Sequence, residues 1–257
     1  MKIDLKSLWL FNDAKELAKR ILSVQIRQRI RTLFLWPPRG LFLGRTFQRL
    51  EPLSRRFGLS RGLPIDRYYI EKFLERNRND IQGRVLEIAD RHYTIKFGGQ
   101  RVSKSEVLHV TGDNEEATIV ADLTRGDNIP TGSFDCVILT QTLQLIYDVR
   151  AALATTYRIL TPGGVLLATF PGISQISRYD MDRWGDYWRF TTLSARRLLE
   201  TYFPSSKITV ASYGNVLATV AFLHGLAAED LGRKLDHQDP DYEMLIAVKA
   251  VKPGIKP

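Results

Sequence analysis

Residues 83–90 read Gly-Arg-Val-Leu-Glu-Ile-Ala-Asp. A short apolar run leads from a turn glycine, Gly83, to two carboxylates, Glu87 and Asp90. That order describes a buried strand whose carboxyl end opens onto a site. Four more apolar runs follow, at Glu106 to Val110, Ala117 to Ala121, Phe134 to Thr140 and Gly164 to Phe170. Short and rich in Val, Ile and Leu, they suit strands covered on both faces. A helical pattern from Tyr147 to Leu160 separates the last two, so the economical arrangement is a parallel sheet with helices packed on it. Ligands of such sheets sit at the carboxyl ends of the strands, near the switch in strand order. The polar residues just after each run are therefore the site candidates.

Beyond the fifth run, residues 171–190 form a loop dense in Tyr, Trp, Asp and Arg, including Ser177-Arg-Tyr-Asp-Met-Asp-Arg-Trp-Gly-Asp-Tyr-Trp-Arg-Phe-Thr. Loops of this composition at a strand end usually recognise a ligand. A helix at Ser194 to Tyr202, a strand at Lys207 to Ser212, a helix at about Val216 to Leu226 and a strand at Tyr242 to Val251 complete the sheet. Before the first strand, Pro64 to Asn77 reads as a helix, with Ile65, Tyr69 and Phe73, or Tyr68 and Ile70, toward the sheet. Residues 36–63, rich in Pro, Gly and Arg, read as a linker or cap.

The net charge of +9 is unevenly placed. Residues 1–61 hold fourteen Lys and Arg against four Asp and Glu, and the remainder is close to balanced. Within that segment Asn12 or Asp13 caps a helix running to about Leu35, stopped by Pro37 and Pro38. Leu22, Ile26, Ile30 and Leu33 share one face, and Lys15, Lys19, Arg20, Arg27, Arg29 and Arg31 surround it. Two readings stay open: a helix lying on an anionic membrane surface, or one packed on its own domain or on a second copy as a homodimer. Basic charge without a recognisable DNA or RNA module gives no case for a specific nucleic acid. The expected organisation is a basic amphipathic extension and linker, 1–61, followed by an α/β domain, 62–257.

The single cysteine, Cys136, falls in a predicted buried strand, so no intramolecular disulfide forms, as in a reducing cytoplasm. No run reaches the roughly 18 apolar residues of a membrane-spanning helix, and no signal-peptide pattern opens the chain. The expected location is cytoplasmic, with the inner membrane face as the place for a peripheral attachment. No Cys or His cluster has zinc-ligand spacing, and no metal is expected.

The order of elements carries a resemblance. Glu87-Ile at the end of strand one, Asp122 after strand three, Ser133-Phe-Asp-Cys-Val-Ile-Leu and Leu160-Thr-Pro-Gly-Gly-Val-Leu-Leu-Ala resemble the class I S-adenosylmethionine-dependent methyltransferases over about residues 64–252. The resemblance implies a Rossmann-like, mostly parallel sheet of seven strands, with S-adenosylmethionine as cofactor. Arg61-Gly-Leu-Pro-Ile-Asp-Arg-Tyr-Tyr-Ile and Trp184-Gly-Asp-Tyr-Trp-Arg-Phe-Thr are also similar to bacterial methyltransferase domains found beside glycosyltransferases in surface-polysaccharide synthesis. One departure stands out. Where the family has Glu-x-Gly-x-Gly-x-Gly, the three glycine positions are Ala89, Arg91 and Tyr93, so the loop is reshaped or the cofactor is not bound. Gly98 and Gly99 are candidates for the close turn in a longer loop.

Carried across residue by residue, Glu87 sits beside the methionine moiety or steadies the loop, with Ala89 in that loop and Asp90 accepting from the cofactor ammonium. Asp113 matches the ribose-binding acid, with His109 and Asn114 as competitors. Asp122 and Leu123 match the adenine contacts, and Thr140, Gln141 and Gln144 line the site near the sulfonium. The first two are assigned to the cofactor, Gln144 to substrate. Each carboxylate also has an ordinary role open to it, as a turn cap.

Methyl transfer is an in-line displacement, which rewards holding acceptor and methyl collinear in a dry pocket. An alcohol acceptor also needs a base. Asp180 and Asp182 are the stronger candidates, and His224 and His109 are the better placed histidines. Aromatic rings beside carboxylates suit a sugar, which makes Tyr179, Trp184, Tyr187 and Arg189 substrate-binding candidates; the same rings also suit a folded lid. The implied function is O-methylation of a sugar hydroxyl on a glycan or glycan-linked acceptor, with a glycosyltransferase or an anionic membrane as partner through residues 12–35. Two alternatives remain: a methyltransferase for small natural products, and a methyltransferase-like scaffold without cofactor. Arg91 and Tyr93 argue for the scaffold, while Glu87, Asp113 and Asp122 argue against it.

Overall fold

The computed structural model of the protein describes residues 49–254. The amphipathic helix expected over 12–35 lies outside the described residues. The chain divides after Leu50, and the unit that begins at Glu51 contains the whole sheet.

That unit opens with a segment, 51–63, which packs on later parts of the chain: Leu53 N donates to His224 O at 2.8 Å, and Arg61 pairs with Asp230 through two 3.0 Å bonds. Helix α1, Ile65–Arg76, then leads to β1, Gly83–Ile88. Strands β2, Val102–His109, β3, Ile119–Val120, and β4, Phe134–Thr140, precede helix α2, Val149–Ile159. Strand β5, Leu160–Pro171, is followed by a short α3, Arg178–Met181, and by α4, Thr192–Glu200. The chain ends with β6, Ile208–Tyr213, α5, Val216–Leu223, α6, Ala228–Leu231, and β7, Leu245–Val251.

The seven strands lie in the order β3-β2-β1-β4-β5-β7-β6. The first five run parallel and β7 is antiparallel to both neighbours. The chain moves outward from β1 to β3 and then returns to the other side of β1, so the switch in strand order falls between β1 and β4. Ligands of open α/β sheets bind at such a point.

The strands are apolar on both faces because both are covered. Leu86, Val137, Leu139, Leu166 and Val248 face one core with α2 and α4. Their neighbours Val85, Cys136, Ile138, Leu167 and Ala247 face the other, with Ile65, Tyr69 and Phe73 of α1. Cys136 is free and buried, and burial pushes its thiol up out of the reactive range. Local signals set the helix starts. The Asp148 side chain accepts from Ala151 N to cap α2, Thr191 and Ser194 form a capping box on α4, and Asn215 caps α5.

The crossover from β1 to β2 holds no long helix. Residues 89–101 make a turn, a single π-type turn at Thr94–Gly98 and a 3-10 turn at Gly99–Arg101. Gly98 packs against Ile81 and Val102 and Gly99, at φ 54°, turns the chain into β2. Both stand at the amino end of β2, away from the site, so they do not replace the missing glycines. Among the described residues, no helix is long and apolar enough to cross a membrane.

Candidate functional site

Ala89, the first residue past β1, has φ 70°, the left-handed conformation that glycine adopts without strain. The backbone turn of the glycine-rich loop is thus kept with an alanine in it. Two bonds fasten it: Ala89 N to Leu108 O at 3.0 Å, and Asn114 Nδ2 to Ala89 O at 2.6 Å. Arg91, at the second glycine position, turns outward to Glu116, with its Nε 3.6 Å from the carboxylate. Tyr93, at the third, is 6% exposed and stacks on Phe97. Neither side chain needs glycine's freedom where it stands.

Glu87 is 2% exposed. Its carboxylate accepts from Tyr93 N at 3.1 Å, Thr94 N at 2.7 Å and Thr94 Oγ1 at 2.7 Å. Burial pushes its carboxyl up to about 7, against the pull of those three donors. Of its two expected roles the geometry favours the second, steadying the loop. Asp90 accepts from His92 N at 2.8 Å through Oδ1 and closes the same turn.

At the end of β2, His109 Nδ1 lies within hydrogen-bond distance of Thr111, and the Thr111 hydroxyl donates to Asp113. That bond holds the exposed Asp113 carboxyl below its ordinary value, so it is ionised. After β3, Asp122 Oδ1 accepts from Thr124 N and Thr124 Oγ1, both at 2.8 Å, leaving its other oxygen outward. Leu123 is 4% exposed and belongs to the core that includes Leu108 and Ile129.

The end of β4 is strained and tightly bonded. Thr140 O accepts from the Thr142 hydroxyl at 3.0 Å. Gln141 has φ 48°, an uncommon conformation for a residue with a side chain and one found most often at functional sites. Its carbonyl accepts from Gln144 Nε2 at 2.7 Å. Gln144 is 8% exposed, and its Oε1 is buried without a hydrogen-bond partner. Such an orphaned acceptor is costly unless a ligand meets it.

The loop after β5 folds back over these strand ends. Tyr187 N donates to Gln144 O at 2.8 Å, and Trp184 packs edge-on against His109, ring centroids 5.8 Å apart. Since β4 and β1 lie between β5 and β2, the loop crosses their carboxyl ends to make that contact. Tyr179 packs on Trp184, and the Arg183 guanidinium lies 3.6 Å above the Tyr179 ring.

Inside the loop one ion pair organises the backbone. Asp186, its side chain 2% exposed, accepts from Arg189 NH1 at 2.6 Å and from Ser177 N at 3.0 Å. Arg189 makes five bonds, to the Ser174, Gln175 and Trp188 carbonyls and twice to Asp186. A guanidinium has five N–H donors. Arg189, expected to bind substrate, is therefore fully engaged in holding the loop.

The proposed bases separate. Asp182 is exposed and lies 3.4 Å from Arg178, a solvated surface pair. Asp180 is half-buried beneath a turn in which its carbonyl takes the Arg183, Trp184 and Gly185 amides. His224 ends α5 against the 51–63 segment, through Leu53. Among the described residues, no group of three or more His, Cys, Asp or Glu side chains is placed to hold a metal ion.

Two residues of the site region went unassigned in the sequence. Thr94 supplies two of the three Glu87 bonds. Asp66, in the first turn of α1, has Oδ1 buried and unpartnered, and burial raises its carboxyl to about 6. Neither lies at a strand end, where the sequence directs attention.

Strand order, the reversed β7 and the switch in order between β1 and β4 define the class: the Rossmann-like fold of the class I methyltransferases. Residues 72–168 match the family model described as a methyltransferase domain. The match runs from within α1 to within β5. The chain is similar to a SAM-dependent methyltransferase from Archaeoglobus fulgidus, at 12% identity over 72% of this chain and 94% of that one, TM-score 0.49. It is also similar to the N-methyltransferase NodS from Bradyrhizobium japonicum in complex with S-adenosyl-L-homocysteine, at 15% identity over 78% and 93%, TM-score 0.46. No curated protein matches the sequence.

Proposed function

We propose that the protein O-methylates a sugar hydroxyl of a glycan or glycan-linked acceptor, with transfer taking place at the ends of β1 and β4 beneath the loop 172–190. The observation that carries this reading is the loop itself. It lies across the strand ends, reaches His109 through Trp184, is bonded to the end of β4 through Tyr187 N, and carries Tyr179 and the half-buried Asp180. Aromatic faces beside a carboxylate suit the apolar face and hydroxyls of a sugar.

The described residues fit the cofactor. Asp113, ionised at the end of β2, would take the ribose hydroxyls, and Asp122, its outer oxygen open, would take the adenine amino group. Ala89 keeps the turn that lets backbone approach the methionine part, with Asp90 beside it for the ammonium. Bound S-adenosylmethionine supplies the electrophilic methyl group. The chain supplies position: Gln144 Oε1, buried at the end of β4 and without a partner, would accept from the acceptor hydroxyl and orient it. Asp180, half-buried in the loop 172–190, would take the hydroxyl proton, since Asp182 is held in a surface pair. A cover formed by Trp184 would keep water from the bound acceptor, which would strengthen these interactions.

Calorimetric titration with S-adenosylmethionine and S-adenosylhomocysteine tests the site, expected at micromolar strength, about −8 kcal/mol. Asp113→Ala and Trp184→Ala should each weaken binding. Mass analysis of glycan acceptors after incubation tests the reaction, and transfer only to amines or carbons would overturn the hydroxyl assignment. Through residues 12–35 the same protein would meet an anionic membrane carrying a lipid-linked acceptor, or a glycosyltransferase. Unchanged sedimentation with anionic liposomes after deletion of residues 1–50 would remove the membrane version.

A further inference from the structure

Beside the cover lies a shelf of aromatic surface that the reaction does not use. Trp188 and Tyr147 stack with centroids 5.8 Å apart and 30° between their planes, yet they are 38% and 71% exposed. The one donor of Trp188, Nε1, is occupied inside the protein by the carbonyls of Ile146 and Tyr147, at 3.1 and 3.2 Å. What the shelf offers a ligand is therefore ring face. It borders a cavity of about 450 Å³ between the starts of α2 and α4, a size that suits a small organic ligand.

Of the four charged residues lining the cavity, three are arginines. The Arg150 guanidinium has no partner among the described residues. Arg197 is 76% exposed in its side chain and makes one 3.4 Å contact, to Glu200. Asp148, the acid among the lining residues, is turned to the α2 amide of Ala151 as its cap, and Arg189 is neutralised by Asp186. Two open guanidinium groups beside an apolar ring face favour a ligand that is flat on one side and anionic on another. Guanidinium matches phosphate and carboxylate geometry with paired donors.

Residues 187–190 separate this cavity from the transfer site. On one side Tyr187 N is bonded to Gln144 at the end of β4, and on the other Trp188 and Phe190 line the cavity. We propose that the cavity is an accessory subsite for an anionic sugar unit, one bearing a phosphate or a carboxylate, next to the unit that is methylated. This rests on the glycan reading above and extends it to the acceptor's charge.

Ligand-detected NMR titrations on the full chain, read apart from activity, test it. The probes are glucose 1-phosphate, glucuronic acid, glucose and inorganic phosphate. Either anionic sugar should bind at least about tenfold more tightly than glucose, a difference of about 1.4 kcal/mol, and whichever binds better identifies the anion. Arg150→Ala with Arg197→Ala should remove that preference, and Trp188→Leu should weaken the anionic sugars while leaving inorganic phosphate unchanged. S-adenosylhomocysteine binding should be the same in the double arginine variant, which shows that it is folded. Equal binding of glucose and the anionic sugars, binding untouched by the arginine changes, or no binding of any probe overturns the subsite. Anionic sugars that bind here while no glycan is ever methylated would sustain the subsite and overturn the transfer reaction instead.

Discussion

At φ 70°, Ala89 shows how a glycine position survives without glycine. The left-handed conformation costs a residue with a Cβ about 1–2 kcal/mol, and here two backbone-directed bonds, from Ala89 N and from Asn114, hold it there. Ala89→Gly should therefore stabilise the protein by up to about 1 kcal/mol, seen as a raised urea midpoint with an unchanged slope, and leave cofactor binding intact. Ala89→Val should destabilise it by at least as much, because a β-branched side chain is a true outlier at this φ. Equal midpoints for all three would mean that the turn is not strained. Asn114 gives a second handle. Asn114→Ala frees the Ala89 carbonyl and should weaken S-adenosylhomocysteine binding by loosening the turn, with little change in the Asp113 bond to Thr111.

Among the elements, the loop 172–190 depends on one buried pair. Removing a partner from such a pair costs about 3–5 kcal/mol, since the other charge is left uncompensated. Between residues 174 and 186 the loop has, among the described residues, one hydrogen bond to the rest of the chain, Gln175 Nε2 to Arg55 O, so that loss should appear as local opening as well as lower stability. Arg189→Leu should make the 172–190 region the first site of limited proteolysis and lower cofactor affinity, while Arg178→Leu, on the exposed Asp182 pair, should do neither. Cleavage equal in wild type and Arg189→Leu would show that the pair does not order the loop. This division of labour was hidden in the sequence. Arg189 and Asp186 sit three apart in an irregular segment with no period to reveal which charge turns inward, and Trp184 meets His109 across 75 residues of chain. Regular elements were legible for a physical reason. The run from Phe134 to Thr140 is buried on both faces and is a strand over those same residues, whereas β5 begins at Leu160, four residues before its apolar run. It does so because the backbone passes directly from α2 into pairing with Phe134, with a register shift beyond it. Strand β1 stops at Ile88 because Ala89 must turn.

Across the whole molecule, buried carboxyls of opposite shift set the response to pH. Asp66 and Glu87 are raised by burial, to about 6 and about 7. In the folded state they hold protons that the unfolded chain releases near pH 4. Their contribution is present in acid and is lost as pH rises from about 4 to about 7. Glu106 behaves the other way. Burial raises it, but bonds from Lys104, Thr118 and Arg84 prevail and lower it to about 2, so its contribution is present above about pH 4.5 and disappears as pH falls toward 2. Of these groups, Asp66 and Glu87 make stability fall as pH rises from about 4 to about 7, and Glu106 makes it fall as pH drops from about 4.5 toward 2. Asp66→Asn removes one of the two raised groups and should flatten the fall between pH 5 and 7, by about 1–2 kcal/mol. Thr94→Val should steepen it, because Glu87 loses the hydroxyl that opposes its protonation. Urea unfolding at pH 4.5, 5.5 and 7 on the three proteins decides the matter. A wild-type midpoint that rises steadily from pH 4.5 to 7 would show that Asp66 and Glu87 are ionised throughout, and Glu87 would then stand at the end of β1 as a fixed negative charge beneath the loop.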